Sequence, residues 1–421
     1  MKQTLLILTI GIFWSGIGIK FITSQPSIAF PLSQQSSDNS SQPTEYMSDQ
    51  MVHAQTQFGF KLFNQLTQAQ KNENIFISPS SIILALSMLY NGADGQTQQE
   101  IQETLEYQGM SLETVNQANQ ILQQQLSQTT PEVQLAIANS LWLREGFPIE
   151  ADFLKTNQTF YQAKVTELDF KSADAAQQMN QWVEEKTQGK INQIIEQVTP
   201  NDIMFLINAI YFKGNWKVKF QESQTQNQPF YLIDGQEKQH PLMSQKNSFF
   251  YLETKHFQGI NLPYGEDGRF SLYVFLPKPE INIDDFLQTL NLENWNQWTQ
   301  QFSVKKGTIE LPRFQLEYDV ELKQILQNLG MIASFDPNQA NFSNLSRSGD
   351  LFVSFVKHKT FLDVNEEGTE AAASTAIGIT RTSIDIAPFE MIVNRPFFCA
   401  IQDNQTGTLL FMGVVYHPEI E

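Results

Sequence analysis

Catalysis or metal binding needs particular side chains at particular spacings, and this sequence offers few. Its five histidines, His53, His240, His256, His358 and His417, form no H-E-x-x-H pair. No G-x-S-x-G elbow and no Walker loop occurs. The single cysteine, Cys399, sits in the apolar run Pro396-Phe397-Phe398-Cys399-Ala400-Ile401, a setting that suits a small buried side chain better than a reactive thiol. One thiol closes no internal disulfide, so stability must come from packing. The chain is therefore read as a non-enzyme, and the reading requires neither metal nor cofactor.

The informative segment is one that breaks local rules. Between Asp363 and Pro388 runs Val364-Asn365-Glu366-Glu367-Gly368-Thr369-Glu370-Ala371-Ala372-Ala373-Ser374-Thr375-Ala376, followed by a mix of Gly, Thr, Ser and Arg. The alanines favour helix and disfavour strand. Long loops without structure of their own are uncommon inside a compact domain and are usually functional. With a period of two, Thr369, Ala371, Ala373 and Thr375 share one face, while Glu370 and Ala372 share the other. A strand with one such small face could slide between two existing strands without overpacking them. The plainer alternative is an exposed loop with alanine filler.

Elements must hold this segment in place. Helical period predicts helices over His53–Leu66, over the strongly apolar Ser81–Tyr90, over the polar Glu100–Leu126, and over Gln177–Ile195, where Gly189 interrupts. Strands are predicted at 203–207, 270–276, from Leu351 through Val356 to Leu362, and in the final stretches 389–393, 397–401 and 409–415. Helices dominate early and strands late, the pattern of an α+β domain.

The chain has 421 residues with 41% hydrophobic content, enough for one large core. Its net charge of -18 argues against nucleic acid, which wants clustered Lys and Arg. At the N-terminus, Lys2 precedes an apolar run from Leu5 to Ile19, and Ser27-Ile28-Ala29 puts small residues where a signal peptidase cuts. Residues 1–29 are thus read as an export signal, with a retained membrane anchor as the alternative because Phe21 and Ile22 prolong the apolar character. The protein is expected outside the cytoplasm, in the extracellular space or periplasm. Residues 30–46 form a polar linker and 47–421 the domain.

The segment Glu366-Glu367-Gly368-Thr369-Glu370-Ala371-Ala372-Ala373 resembles the reactive-loop hinge of inhibitory serpins. Other motifs follow in that family's order. They include Asn74-Ile75-Phe76-Ile77-Ser78-Pro79-Ser80-Ser81, Thr187-Gln188-Gly189-Lys190-Ile191 and Asn208-Ala209-Ile210-Tyr211-Phe212-Lys213-Gly214-Asn215-Trp216. Later come Leu311-Pro312-Arg313-Phe314, Arg395-Pro396-Phe397 and Leu410-Phe411-Met412-Gly413. The resemblance runs from Met47 to Pro418. It implies a fold of three β-sheets and about nine helices with an exposed reactive loop. It also implies a mechanism in which a protease attacks the loop, forms an acyl-enzyme and is trapped as the cleaved loop inserts into the central sheet.

By the same resemblance, Ser78, Ser81, Asn208 and His358 map to the cluster where the sheet parts, and Trp216 to the top of the sheet where the loop first enters. Counting from the hinge puts the scissile bond at Thr382-Ser383, suited to an elastase-like serine protease. The bond Arg381-Thr382 would suit a trypsin-like one, and a cysteine protease is a further candidate target. No Lys or Arg lies between Lys71 and Arg144, so no heparin activation is expected. A monomer is expected. The rival function is a non-inhibitory serpin acting as a carrier or chaperone; Thr369 and the small residues after it favour inhibition.

Overall fold

The computed structural model describes residues 49–127, 130–369 and 388–420. Among these are nine α-helices and two sheets. The predicted helices exist, with bounds set by backbone chemistry. Glu100–Leu126 is two helices, Gly95–Thr104 and Leu112–Leu126, because Glu106 and Gly109 take positive φ between them. The helix predicted to Ile195 stops at Lys186. There Gln188 and Gly189 both turn left-handed, and the Thr187 hydroxyl donates to the Val183 carbonyl and accepts from the Ile191 N–H. Strand begins at Phe355, not Leu351.

Helix Pro79–Gly92 is buried along nearly its whole length. Ser78 caps it, its hydroxyl accepting from the Ser81 N–H, and proline occupies the first turn, where no N–H is needed. The helix lies against the six-stranded sheet. That sheet is ordered Phe314–Glu321, Phe355–Asn365, Gly368–Thr369, Met204–Asn215, Val133–Arg144 and Lys164–Leu168. Below the two-residue piece Gly368–Thr369, strands Phe355–Asn365 and Met204–Asn215 pair directly and in parallel, from Phe355 opposite Phe205 to Phe361 opposite Tyr211.

The other sheet has nine strands. Its long strand Glu237–Glu253 pairs with Gln226–Tyr231 near one end, with Phe257–Tyr264 near the other, and with Ser303–Pro312 along its length. That shared strand joins what the resemblance implies as a second and a third sheet into one hydrogen-bonded network. The main apolar core fills the space among the helices and both sheets. A smaller core, with Trp142, Phe170, Met179 and Phe205, sits under helix Ala175–Lys186.

Candidate functional site

The seam between Phe355–Asn365 and Met204–Asn215 carries buried polar side chains where a sheet interior is normally apolar. His358 and Asn208 are direct partners in the parallel register. The His358 Nδ1 lies 2.5 Å from the Asn208 Oδ1. Its Nε2 accepts the Ser78 N–H at 3.1 Å. An acceptor at Nε2 leaves Nδ1 as the donor, so the ring is the neutral Nδ1–H tautomer. Burial agrees, holding the imidazole pKa down to about 3. The Asn208 amide donates to the Ser81 carbonyl at 3.1 Å, the Ser81 hydroxyl and the Asn139 Oδ1, the last two at 2.5 Å. Each of the two strands is thus tied to the start of the helix beneath: His358 through Ser78, Asn208 through Ser81.

Two members of this cluster were not foreseen. Asn139 extends it into the neighbouring strand Val133–Arg144, where it faces Asn208 in register. The Thr360 hydroxyl donates to the Phe76 carbonyl at 2.6 Å. Neither belongs to a quoted motif, and each matters only through pairing with distant chain.

Trp216 lies apart from these four, at the head of the seam. Its indole N–H donates to the Asn365 carbonyl at 2.9 Å, and its backbone N–H donates to the Glu367 carbonyl at 2.9 Å. The ring stacks on Tyr264 with centroids 4.5 Å apart. Tyr264 and Thr369 share a hydroxyl contact of 2.8 Å. Thr369 is fully buried and already sits between the strands, opposite Val364 on one side and Gly214 on the other.

Gly368 explains the glycine in the hinge. Its φ is +150°, and a Cβ there would come within 2.0 Å of the Gly214 carbonyl oxygen. Only glycine fits both constraints. Glu366 is anchored by the Arg313 guanidinium at 2.6–2.8 Å and by the Thr225 hydroxyl. Burial raises its carboxyl, but these partners outweigh burial and hold it below the ordinary carboxylate range. Glu367 pairs with Lys219. Glu370, Ala371, Ala372, Ala373, Arg381, Thr382 and Ser383 lie outside the described residues, as do the 1–29 leader and the 30–46 linker. No helix among the described residues is long and apolar enough to cross a membrane.

A family model described as Serpin (serine protease inhibitor) matches residues 53–418. The chain is a serpin. Human neuroserpin is 35% identical over 375 residues, covering 85% of this serpin and 89% of that protein. The native-state structure of tengpin, a thermophilic serpin, superposes with a TM-score of 0.82 at 30% identity, covering 88% of this chain and 95% of that one. Human thyroxine-binding globulin superposes with a TM-score of 0.80 at 28% identity, covering 88% and 99%. The family is one of protease inhibitors, not enzymes, whose members target serine proteases; it also includes a thyroxine carrier. Cys399 is buried, and burial pushes its thiol up to about 12.

Proposed function

We propose that this serpin inhibits a serine protease by inserting its cleaved reactive loop along the His358/Asn208 seam. The observation that carries this reading is the docked hinge. Gly368–Thr369 pairs antiparallel with both flanking strands, directly above the place where those strands still pair with each other. Continuing both registers down the seam puts Ala371 opposite Leu362 and Phe212, and Ala373 opposite Thr360 and Ile210. Thr375 then falls opposite His358 and Asn208 at once.

The flanking strands keep the same offset beside the docked hinge as below it, so each inserted residue would face a directly paired couple. At the level where parting the strands would break the His358–Asn208 hydrogen bond, that residue is Thr375. A threonine hydroxyl both donates and accepts, so Thr375 can take up the bond each partner loses. The face that enters is small, as insertion into a packed sheet requires. Glu370 and Ala372 face the other way.

The role follows. A protease serine attacks the loop carbonyl at Thr382-Ser383, and the leaving segment departs with Ser383 as its new N-terminus. The acylated segment inserts, carrying the enzyme with it, before water reaches the acyl bond. Export to an extracellular or periplasmic space, directed by residues 1–29, would bring the inhibitor to such enzymes.

The test is incubation with a panel of elastase-like and trypsin-like serine proteases, followed by a denaturing gel. A band near the summed masses that survives boiling is the expected result; cleaved fragments alone across the panel would refute trapping. Mass spectrometry of the released fragment assigns the bond, with Ser383 at its start supporting Thr382-Ser383 and Thr382 supporting Arg381-Thr382. Ala371→Arg, at the first position of the same face beyond the docked hinge, should be cut but not trap, since insertion would bury an unpaired guanidinium at a cost of several kcal/mol. The carrier reading is favoured only if no covalent complex forms.

A further inference from the structure

Beside the hinge lies a cavity of about 270 Å³, near the lower end of the range for small-molecule sites. Trp216, Phe220, Phe249 and Phe250 supply aromatic wall. The chain carries a net charge of -18, yet among the described residues no carboxylate lines this space. Among them the one charged lining group is Lys217, which is exposed and in no ion pair. The two lining amides are already engaged, Asn261 with Tyr273 and Gln245 with the carbonyls of Val218 and Lys219. Large apolar side chains stand exposed around the cavity. Val218 is 45% exposed, Phe250 39%, and Val304, the cross-strand partner of Phe250, 63%. Aromatic walls, an apolar rim and one unanswered cation together select an aromatic anion.

The walls are also the hinge's anchors. Trp216 donates to Asn365 and Glu367 through its indole and backbone N–H groups, and the Phe220 N–H donates to the Glu366 carbonyl at 3.0 Å. The same tryptophan stacks on the tyrosine that meets Thr369. A molecule packed against Trp216 and Phe220 in their present positions binds the docked hinge better than a displaced one, and so favours docking.

We propose that the Trp216 cavity binds a small aromatic organic anion, with Lys217 meeting its negative group, and that occupancy holds the Glu366–Thr369 hinge in its docked position. The consequence for inhibition rests on the trapping mechanism proposed above; the binding itself does not.

The probe is 8-anilinonaphthalene-1-sulfonate, titrated by fluorescence against the native protein, beside its uncharged relative N-phenyl-1-naphthylamine. The expected result is one equivalent of sulfonate bound. Lys217→Ala, a change at an exposed side chain, should weaken the sulfonate about threefold to fivefold and leave the neutral amine unchanged. Ser248→Trp, at an exposed position on the cavity wall, should block both. Amide hydrogen exchange should slow at Trp216 and Phe220 when the sulfonate is bound. Binding that ignores both variants would overturn the site. One-equivalent binding with unchanged exchange at those two amides would overturn the coupling to the hinge. Because none of these readouts uses a protease, a failure to trap enzymes leaves them intact.

Discussion

The two sheets are closed in different ways. In the nine-stranded sheet, strands Phe270–Pro277, Phe397–Asp403 and Leu409–Val415 are buried at every residue, the middle one antiparallel to both neighbours. Phe275, Phe398 and Trp295 interlock there, and any gap would expose a broad apolar surface. In the six-stranded sheet, Phe205 stacks on Phe355 at one end of the parallel seam and Tyr211 meets Phe361 at the other, but the middle is closed by the neutral polar bonds of His358, Asn208 and their serine partners. Apolar contact is lost outright when strands part, whereas a hydrogen bond can be exchanged for another of similar strength. Under the trapping mechanism proposed above, one sheet would be permanent and the other replaceable, although a single core packs against both.

Releasing the replaceable sheet should give the largest effect. Protein nicked in the loop should melt well above intact protein. About ten added ladder bonds, at roughly 1 kcal/mol each, stabilise the inserted form by on the order of 10 kcal/mol before entropic costs. Calorimetry of nicked and intact samples measures this, and coincident melting temperatures would mean that the seam does not open to the loop.

The next test contrasts one residue from each sheet. Asn208→Ala strips a hydrogen bond from buried His358 and leaves Asn139 short of a donor, a loss of about 3 kcal/mol. Cys399→Ala removes one sulfur from the permanent sheet and should cost about 1 kcal/mol. Denaturant titration of both variants sharpens the contrast; equal losses would erase it.

Acid gives the smaller and more selective perturbation. His358 titrates near 3 when folded and near 6.5 when unfolded, so its depressed pKa makes the unfolded chain bind protons first. Its contribution is fully present above pH 6.5 and declines as pH falls toward 3. Between pH 7 and pH 5 the loss is about 2 kcal/mol. Its hydrogen-bond partners among the described residues, the Ser78 amide and Asn208, are uncharged and leave this sign unaltered. Denaturant midpoints at the two pH values, compared with those of His358→Asn, read it; an unchanged difference in that variant would place the acid sensitivity elsewhere.

The sequence disclosed these regions unequally. The hinge was legible because Glu366-Glu367-Gly368-Thr369 is a contiguous run whose composition conflicts with its neighbours. Asn208 and His358 were legible only through resemblance, since a lone buried Asn or His carries no local mark. Asn139, Tyr264 and Arg313 acquire their roles from partners more than 50 residues away, which no periodicity reports. Helix ends were misplaced wherever a left-handed residue, such as Glu106 or Gln188, stopped an otherwise helical pattern.

The loop's far end has a consequence of its own. Phe389 stacks on Tyr251 with centroids 3.8 Å apart and lies over Gly307, where a Cβ would come 2.3 Å from the ring. The polypeptide leaving this anchor belongs to the permanent sheet, while that entering at Thr369 belongs to the replaceable one. Under the proposed mechanism, a cut at Thr382-Ser383 would divide the chain into a moored stub and a free tail. The tail holds thirteen residues beyond Thr369, about 43 Å of extended strand at 3.3 Å per residue. Tail length is a ruler: each residue deleted between Thr369 and Thr382 shortens by about 3.3 Å the path over which captured cargo is hauled.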